Sequence, residues 1–109
     1  MKVVTKRDST GRLVYSSEIL HDIVDCALGE VNGVVKFPNG SKQARDSIKI
    51  EQVGEEMHID VFVKLLCTEE VSDVASRIQS TVKGTIENMT EFKVKDVNVH
   101  VIGVEVNEN

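Results

Sequence analysis

The chain has 109 residues, which suits one domain whose folding removes roughly two-thirds of the unfolded surface from water. Its core must be aliphatic, because aromatic residues make up only 4% of the chain and tryptophan is absent. The net charge is −5, with 18 acidic residues against 13 basic ones and no basic run. This charge weighs against nucleic-acid binding and against direct adsorption to anionic lipid.

Membrane insertion and a disulfide framework are both unsupported by the sequence. No apolar stretch approaches the roughly 18 residues of a spanning helix, and residues 1–4 lack the apolar run of a signal peptide. We therefore expect a cytoplasmic protein. Cys26 and Cys67 form no CxxC pair, so we expect free thiols that behave as small buried hydrophobic residues, with a redox or nucleophilic role as the alternative.

The first predicted helix follows a short strand. Residues 1–10 carry little pattern and are expected to be a mobile arm or a frayed edge, whereas residues 12–15 predict a strand. Ser16 supplies a helix cap, and the helix should end at Asn32-Gly33, where glycine can adopt the left-handed conformation. The opposite face of the helix is acidic, which suits water or a basic partner. The apolar stripe comprises Ile19, Leu20, Ile23, Val24, Ala27, Leu28 and Val31.

A β-hairpin is predicted in the middle of the chain. Residues 34–37 predict a short strand that ends at a Pro38-Asn39-Gly40 turn, and residues 41–46 predict a loop. Residues 48–51 and 57–66 then read as two paired strands. Alternation gives the hairpin one apolar face toward the helices and one polar outward face. The outward residues are Lys49, Glu51, His58, Asp60, Phe62 and Lys64.

The second predicted helix begins at Thr68 with acids in its first turn. Gly84 interrupts its polar side, either as a tolerated surface glycine or as a point of close approach by a partner backbone. The apolar stripe comprises Val71, Val74, Ala75, Ile78, Val82, Ile86 and Met89.

A valine-rich strand follows the second helix, with Val97, Val99 and Val101 on one face. Phe92 and Val94 have the other parity, so a turn or bulge near Lys95-Asp96 must shift the register, and Gly103 should do the same later. Residues 107–109 are expected to form a frayed end.

Two parts of the chain carry a recognisable pattern. One is residues 82–90 followed by residues 97–104, and the other is a set of spaced positions near the N-terminus: Gly11, Ser16, Ile19, Ile23, Ala27, Glu30, Val31, Gly33 and Val34. Together they resemble the alkaline shock protein (Gls general stress) family of Gram-positive bacteria. These are core and turn positions, so they identify a fold and no chemical step.

The resemblance implies a non-enzymatic cytoplasmic protein that supports cell-envelope homeostasis and stress tolerance through protein–protein interaction. Members of the family can be held near the membrane by a separate membrane-anchored partner, and they tend to assemble. The apolar patterns predict a single α+β domain over residues 1–109, with two helices packed on one face of a mixed or antiparallel four- to five-stranded sheet.

The sequence offers few candidate catalytic or metal-binding residues, and we expect no catalytic, cofactor or metal site. His58, Asp60 and His100 are the best metal candidates, since two imidazoles and a carboxylate can hold zinc or iron; the alternative is a solvated sheet face. His21 and Asp25 lie one helical turn apart beside Cys26, either as a partial ligand set or as surface residues. A small metalloenzyme and a nucleic-acid-binding module remain the alternative functions.

The outward sheet face is the candidate interaction surface. Phe62 and Ile102 should form an apolar centre, with His58, Lys64 and His100 as its polar rim. We expect this face to mediate self-association or partner docking, and the protein to be a homo-oligomer, although a merely solvated face would have the same pattern.

Overall fold

The computed structural model describes the backbone of residues 2–8 and 10–106, and the side chains of residues 10–106 apart from Arg12. Its strands are β1 (Lys2–Asp8), β2 (Gly11–Ser16), β3 (Val34–Val35), β4 (Ile48–Val53), β5 (Glu56–Leu66) and β6 (Lys93–Glu105). Its helices are α1 (Ser17–Gly29), α2 (Lys42–Asp46) and α3 (Val71–Met89). The predicted α+β class is confirmed.

Strand β5 is the centre of the main sheet. β4 pairs with its first half and β3 with its last residues, both antiparallel, so these two strands share one edge of β5. β6 pairs with β5 in parallel over its whole length on the other edge. The sheet is therefore mixed, one of the two arrangements that the sequence allowed.

Helices α1 and α3 pack together on one face of this sheet, as predicted. Alternate residues of β5 lie under them with at most 2% of their surface exposed: Met57, Ile59, Val61, Val63 and Leu65. From α3, the buried stripe is Val74, Ile78, Val82 and Ile86. Burying one such side chain contributes about 1.5–3 kcal/mol, so this face supplies most of the driving force for folding.

The register shifts predicted for β6 are confirmed. Met57 pairs with Val94 and His58 with Asp96, so Lys95 is an extra residue in the ladder. Val63 pairs with Val101 and Lys64 with Gly103, which makes Ile102 the second extra residue. Because each bulge adds one residue, apolar residues at odd and at even positions of β6 can face the same side of the sheet.

The helix ends differ from the sequence predictions. Ser16 caps α1 as expected, its Oγ accepting the Ile19 N–H at 3.2 Å, but α1 ends at Gly29. Gly33 instead takes a positive φ of +95° in the turn before β3. Thr68 does not cap α3, whose N-cap is Glu70 without a side-chain hydrogen bond. Val71 and Met89, at the two ends of α3, are exposed because the packed interface ends before them.

Two further expectations were wrong. The predicted loop at residues 41–46 contains α2, which begins where Ser41 Oγ accepts the Ala44 N–H at 3.1 Å. Both thiols are free, as expected, but Cys26 and Cys67 are exposed and not buried. Cys67 directly follows β5, and Cys26 lies on the side of α1 away from the core residues Val24 and Ala27.

The β1–β2 hairpin is a two-stranded sheet separate from the main one, in a molecule of 56 × 26 × 20 Å. β1 pairs antiparallel with β2, in a stretch where the sequence predicted a mobile arm or a frayed edge. The base of the hairpin is attached through Tyr15, whose ring lies 5.8 Å from that of Phe92. The predicted frayed end at residues 107–109 lies outside the described residues, as do positions 1 and 9 of the expected mobile arm.

No other part of the described chain approaches Gly84 in α3, because a Cβ placed there meets no atom within 4 Å. We expect Gly84→Ala to raise the free energy of unfolding by about 0.5–1 kcal/mol, since alanine loses less backbone entropy in a helix. Urea denaturation followed by circular dichroism measures this difference.

Gly33→Ala is the matched control. Its Cβ would lie 2.8 Å from Glu69 Cγ at a positive φ, so this variant should be destabilised. A Gly84→Ala protein no more stable than the wild type would mean that another backbone approaches Gly84 in solution.

Candidate functional site

The sheet face opposite the helices, here called the outer face, is built by three strands. In the ladder, Asp60 pairs with Lys49 on one side and with Asn98 on the other, and Phe62 pairs with His100. Directly paired residues project to the same side of a sheet, so these side chains share the outer face. Its members are Lys49, Glu51, His58, Asp60, Phe62, Lys64, Asp96, Asn98 and His100.

Phe62 is the aromatic centre of the outer face. Its ring stacks on the His100 imidazole, with centroids 4.3 Å apart and planes inclined by 12°. The ammonium group of Lys49 lies 5.5 Å from the Phe62 centroid, within cation–π range. Phe62 is thus partly buried among polar neighbours.

Two imidazole–carboxylate pairs flank this stack. His100 Nε2 lies 3.0 Å from Asp60 Oδ1, and His58 Nδ1 lies 3.0 Å from Asp96 Oδ2. An ionised carboxylate can only accept, so each contacting imidazole nitrogen carries a proton. The hydrogen bond from His100 lowers the pKa of Asp60 and outweighs partial burial, which raises that pKa; Asn98 and Lys49 also lower it.

The metal candidates do not converge. Asp60 is held by His100, whereas the bulge at Lys95 brings Asp96 beside His58. Within residues 10–106, apart from Arg12, no three His, Cys, Asp or Glu side chains form a possible ligand set. His58, Asp60 and His100 are thus divided between two separate imidazole–carboxylate pairs.

Ile102 and Lys64 lie toward one end of the outer face. Ile102 is 55% exposed and occupies the second bulge, so His100, and not Ile102, stands opposite Phe62. Lys64 Nζ lies 3.8 Å from Glu105 Oε1. The structure thus joins Phe62 with His100 at the centre of the face and places Ile102 closer to the end of β6.

A cleft of about 780 Å³ lies between α1, α2 and β4, and His21, Asp25 and Cys26 all line it. His21 Nε2 lies 3.3 Å from the Arg45 carbonyl oxygen, and Asp25 forms an ion pair with Lys36 at 3.1 Å. These partners replace the suggested His21–Asp25 pair. The cleft was not predicted, because the sequence pattern indicated a loop where α2 lies. The sequence signal for α2 is its capping residue, Ser41.

The sequence matches the model of the alkaline shock protein 23 family, described as having a cell envelope-related function, over residues 5–106. It is 26% identical over 113 residues to the uncharacterized protein YloU of Bacillus subtilis (strain 168), covering 92% of this chain and 93% of that one. It is also 24% identical over 119 residues to a stress response regulator gls24 homolog of Streptococcus pyogenes serotype M3 (strain MGAS315), covering 95% and 66%.

A third relative, the uncharacterized protein Spy1535 of Streptococcus pyogenes serotype M6, is 30% identical over 104 residues, covering 86% of this chain and 79% of that one. Among solved structures, MamM-CTD D249A superposes with a TM-score of 0.59 at 16% identity, covering 85% and 100%. At this identity the likeness shows a shared fold. Across the described residues, no helix is long and apolar enough to cross a membrane.

The Asp60–His100 contact predicts a measurable titration. We expect His100→Ala to raise the pKa of Asp60 toward its ordinary value of about 3.9, because the hydrogen bond to the carboxylate is lost. Carboxyl ¹³C NMR shifts followed against pH give this pKa directly.

His58→Ala is the control, since His58 contacts Asp96 and should leave the pKa of Asp60 unchanged. Because the pKa of Asp60 is lower in the folded state, its contact with His100 stabilises the protein at pH values above the unfolded-state pKa. This stabilisation is lost as the pH falls through the folded-state pKa of Asp60. An Asp60 pKa that is the same in His100→Ala and the wild type would contradict the assignment.

Proposed function

Because this chain belongs to the alkaline shock protein family, whose function is related to the cell envelope, we propose that it is a non-enzymatic cytoplasmic protein that supports the envelope under stress by binding other proteins. The family match and the stress response regulator relatives support the envelope and stress components. The single observation that supports a binding role is the Phe62–His100 stack on the outer face.

The stack has the composition of a protein-binding centre. Aromatic residues surrounded by polar groups are typical of the energetically dominant part of an interface, where the ring is covered and the rim stays wet. Here the rim consists of polar groups already held in place, namely the His58–Asp96 and His100–Asp60 pairs. A partner would therefore meet a surface with little side-chain entropy left to lose.

The state of the polar side chains also favours binding over catalysis. In the cleft, Asp25 is bound to Lys36 and His21 to a backbone carbonyl. On the outer face, both imidazoles are bound to carboxylates. Catalysis needs polar groups that converge in a pocket, whereas these two imidazole–carboxylate pairs lie on the face of a sheet.

The chemistry of the outer face specifies what a partner must offer. It needs an apolar or aromatic group to cover the Phe62 ring and acceptors for Lys49 and Lys64. A membrane-anchored protein with such a segment on its cytoplasmic side would bring this domain to the envelope. This proposal follows the tethering that the family resemblance implies.

Phe62→Glu tests the proposed function. We expect the variant to fold normally, because Phe62 is half-exposed and projects away from the helix-facing core, but to lose binding through a charge placed in an apolar contact. In a strain of the source bacterium lacking the gene, growth under alkaline or cell-wall stress should be restored by the wild-type gene and not by Phe62→Glu.

Ile19→Glu is the matched control. It also places a carboxylate at an apolar side chain that is half exposed, but in the first turn of α1, where the helix dipole favours negative charge. It should restore growth fully at equal protein abundance. Full rescue by Phe62→Glu would rule out the outer face as the functional contact.

A further inference from the structure

Strand β6 lies at the edge of the main sheet, and α3 covers the first part of its free edge. The Val94 N–H donates to Glu87 Oε2 at 2.9 Å, and the Val97 carbonyl accepts from Gln79 Nε2 at 3.1 Å. Both side chains come from α3. Main-chain groups that would otherwise be available to another strand are thus occupied near the start of β6.

The last part of the same edge is open. By strand alternation, Val99 and Val101 direct their main-chain groups to the same side as Val97. In the part of the chain that the structure describes, β6 pairs with β5 alone. Three large apolar side chains are exposed here: Val101 at 38%, Ile102 at 55% and Val104 at 54%. Residues 99–105, here called the open edge, can therefore accept a further strand.

The β1–β2 hairpin, a two-stranded sheet separate from the main one, is the complementary feature. Within the described residues, β1 pairs with β2 alone, and Leu13 and Val14 of β2 are exposed. An isolated two-stranded ribbon is marginally stable in water, so a third strand would stabilise it. Tyr15 ties the base of the hairpin to Phe92 before β6, whereas the Glu105 carbonyl, at the far end of β6, accepts the Cys67 N–H.

Charge identifies the occupant of the open edge. Residues 1–16 carry four basic residues and one acidic residue, whereas the rest of the chain carries seventeen acidic residues and nine basic ones. The β5–α3 connection and the end of β6 are acidic: Lys64 and Arg77 offset Glu105 and Glu69 by pairing with them, and Glu70 and Asp73 leave the charge there negative. The acids at this end are Glu69, Glu70, Asp73 and Glu105. A basic strand is favoured there, and β1 is such a strand.

We propose that β1 of one copy of this chain adds to the open edge of β6 in a second copy. The two contacting surfaces differ, so the contact is head-to-tail and joins copies into a ring or an open row. Main-chain hydrogen bonds supply the pairing, and opposite charge selects the partner. The contact uses neither Phe62 nor His100, so it stands independently of the proposed docking function.

Two variants, each defective in one surface, test the proposal. The arm variant is Lys6→Glu/Arg7→Glu, which reverses charge on β1, and the edge variant is Ile102→Lys/Val104→Lys, which places charge on two exposed positions. By light scattering at high micromolar concentration, the wild type should exceed a dimer, and each variant alone should be a 12.1 kDa monomer. An equimolar mixture should associate, because an intact arm then meets an intact edge.

Three outcomes would overturn the proposal: a monomeric wild type, an arm variant that assembles as the wild type does, or a mixture that stays monomeric. Hydrogen exchange of the wild type provides a test that needs no variant. The Val99 and Val101 amides should exchange at least roughly tenfold more slowly at high than at low concentration, and unchanged rates would contradict the pairing.

Phe62→Glu separates this inference from the proposed function. It should assemble like the wild type while failing to restore growth. If Phe62→Glu alone abolished assembly, the copies would meet through the outer face, and the arm–edge contact would be wrong.

Discussion

The alternation of β5 is the constraint on which the rest of the structure depends. Its odd-numbered residues from Met57 to Leu65 are almost completely removed from water, and its even-numbered residues form the centre of the outer face. Because the side-chain period of a strand is two, neither set can be moved without moving the other. The core and the candidate binding surface are therefore two sides of the same strand, and β5 fixes the position of both.

The irregularities of β6 then decide which side chains meet. The extra residue Lys95 sets Asp96 beside His58 and leaves Val97 on the core side, and the regular ladder that follows carries His100 to Phe62. Without that bulge, the stretch from Asn98 to His100 would be displaced along β5, and both imidazole–carboxylate pairs would be lost. A backbone feature that serves core packing thus also builds the surface.

The sequence pattern predicts the faces of the helices and strands, but it says little about which side chains pair across neighbouring strands. The bulge near Lys95 was predictable, because two sets of apolar residues with opposite parity had to face one core. The outward placement of His58, Asp60 and Phe62 followed from the same alternation. Which imidazole meets which carboxylate depends on the parallel register between β5 and β6, which α3 separates in sequence. The cleft beside Cys26 depends on α2, whose five residues carry no apolar periodicity.

The parallel pairing of β5 with β6 also determines how the domain bears force. Eleven residue pairs join the two strands. Tension applied at the end of β6, and resisted by the helix-covered sheet, pulls β6 along its own axis. The pairs are then loaded in shear and resist together, whereas a hairpin pulled from its open end unzips one pair at a time. A load on β6 is therefore carried by all eleven pairs at once, and the two strands separate only when those pairs break together.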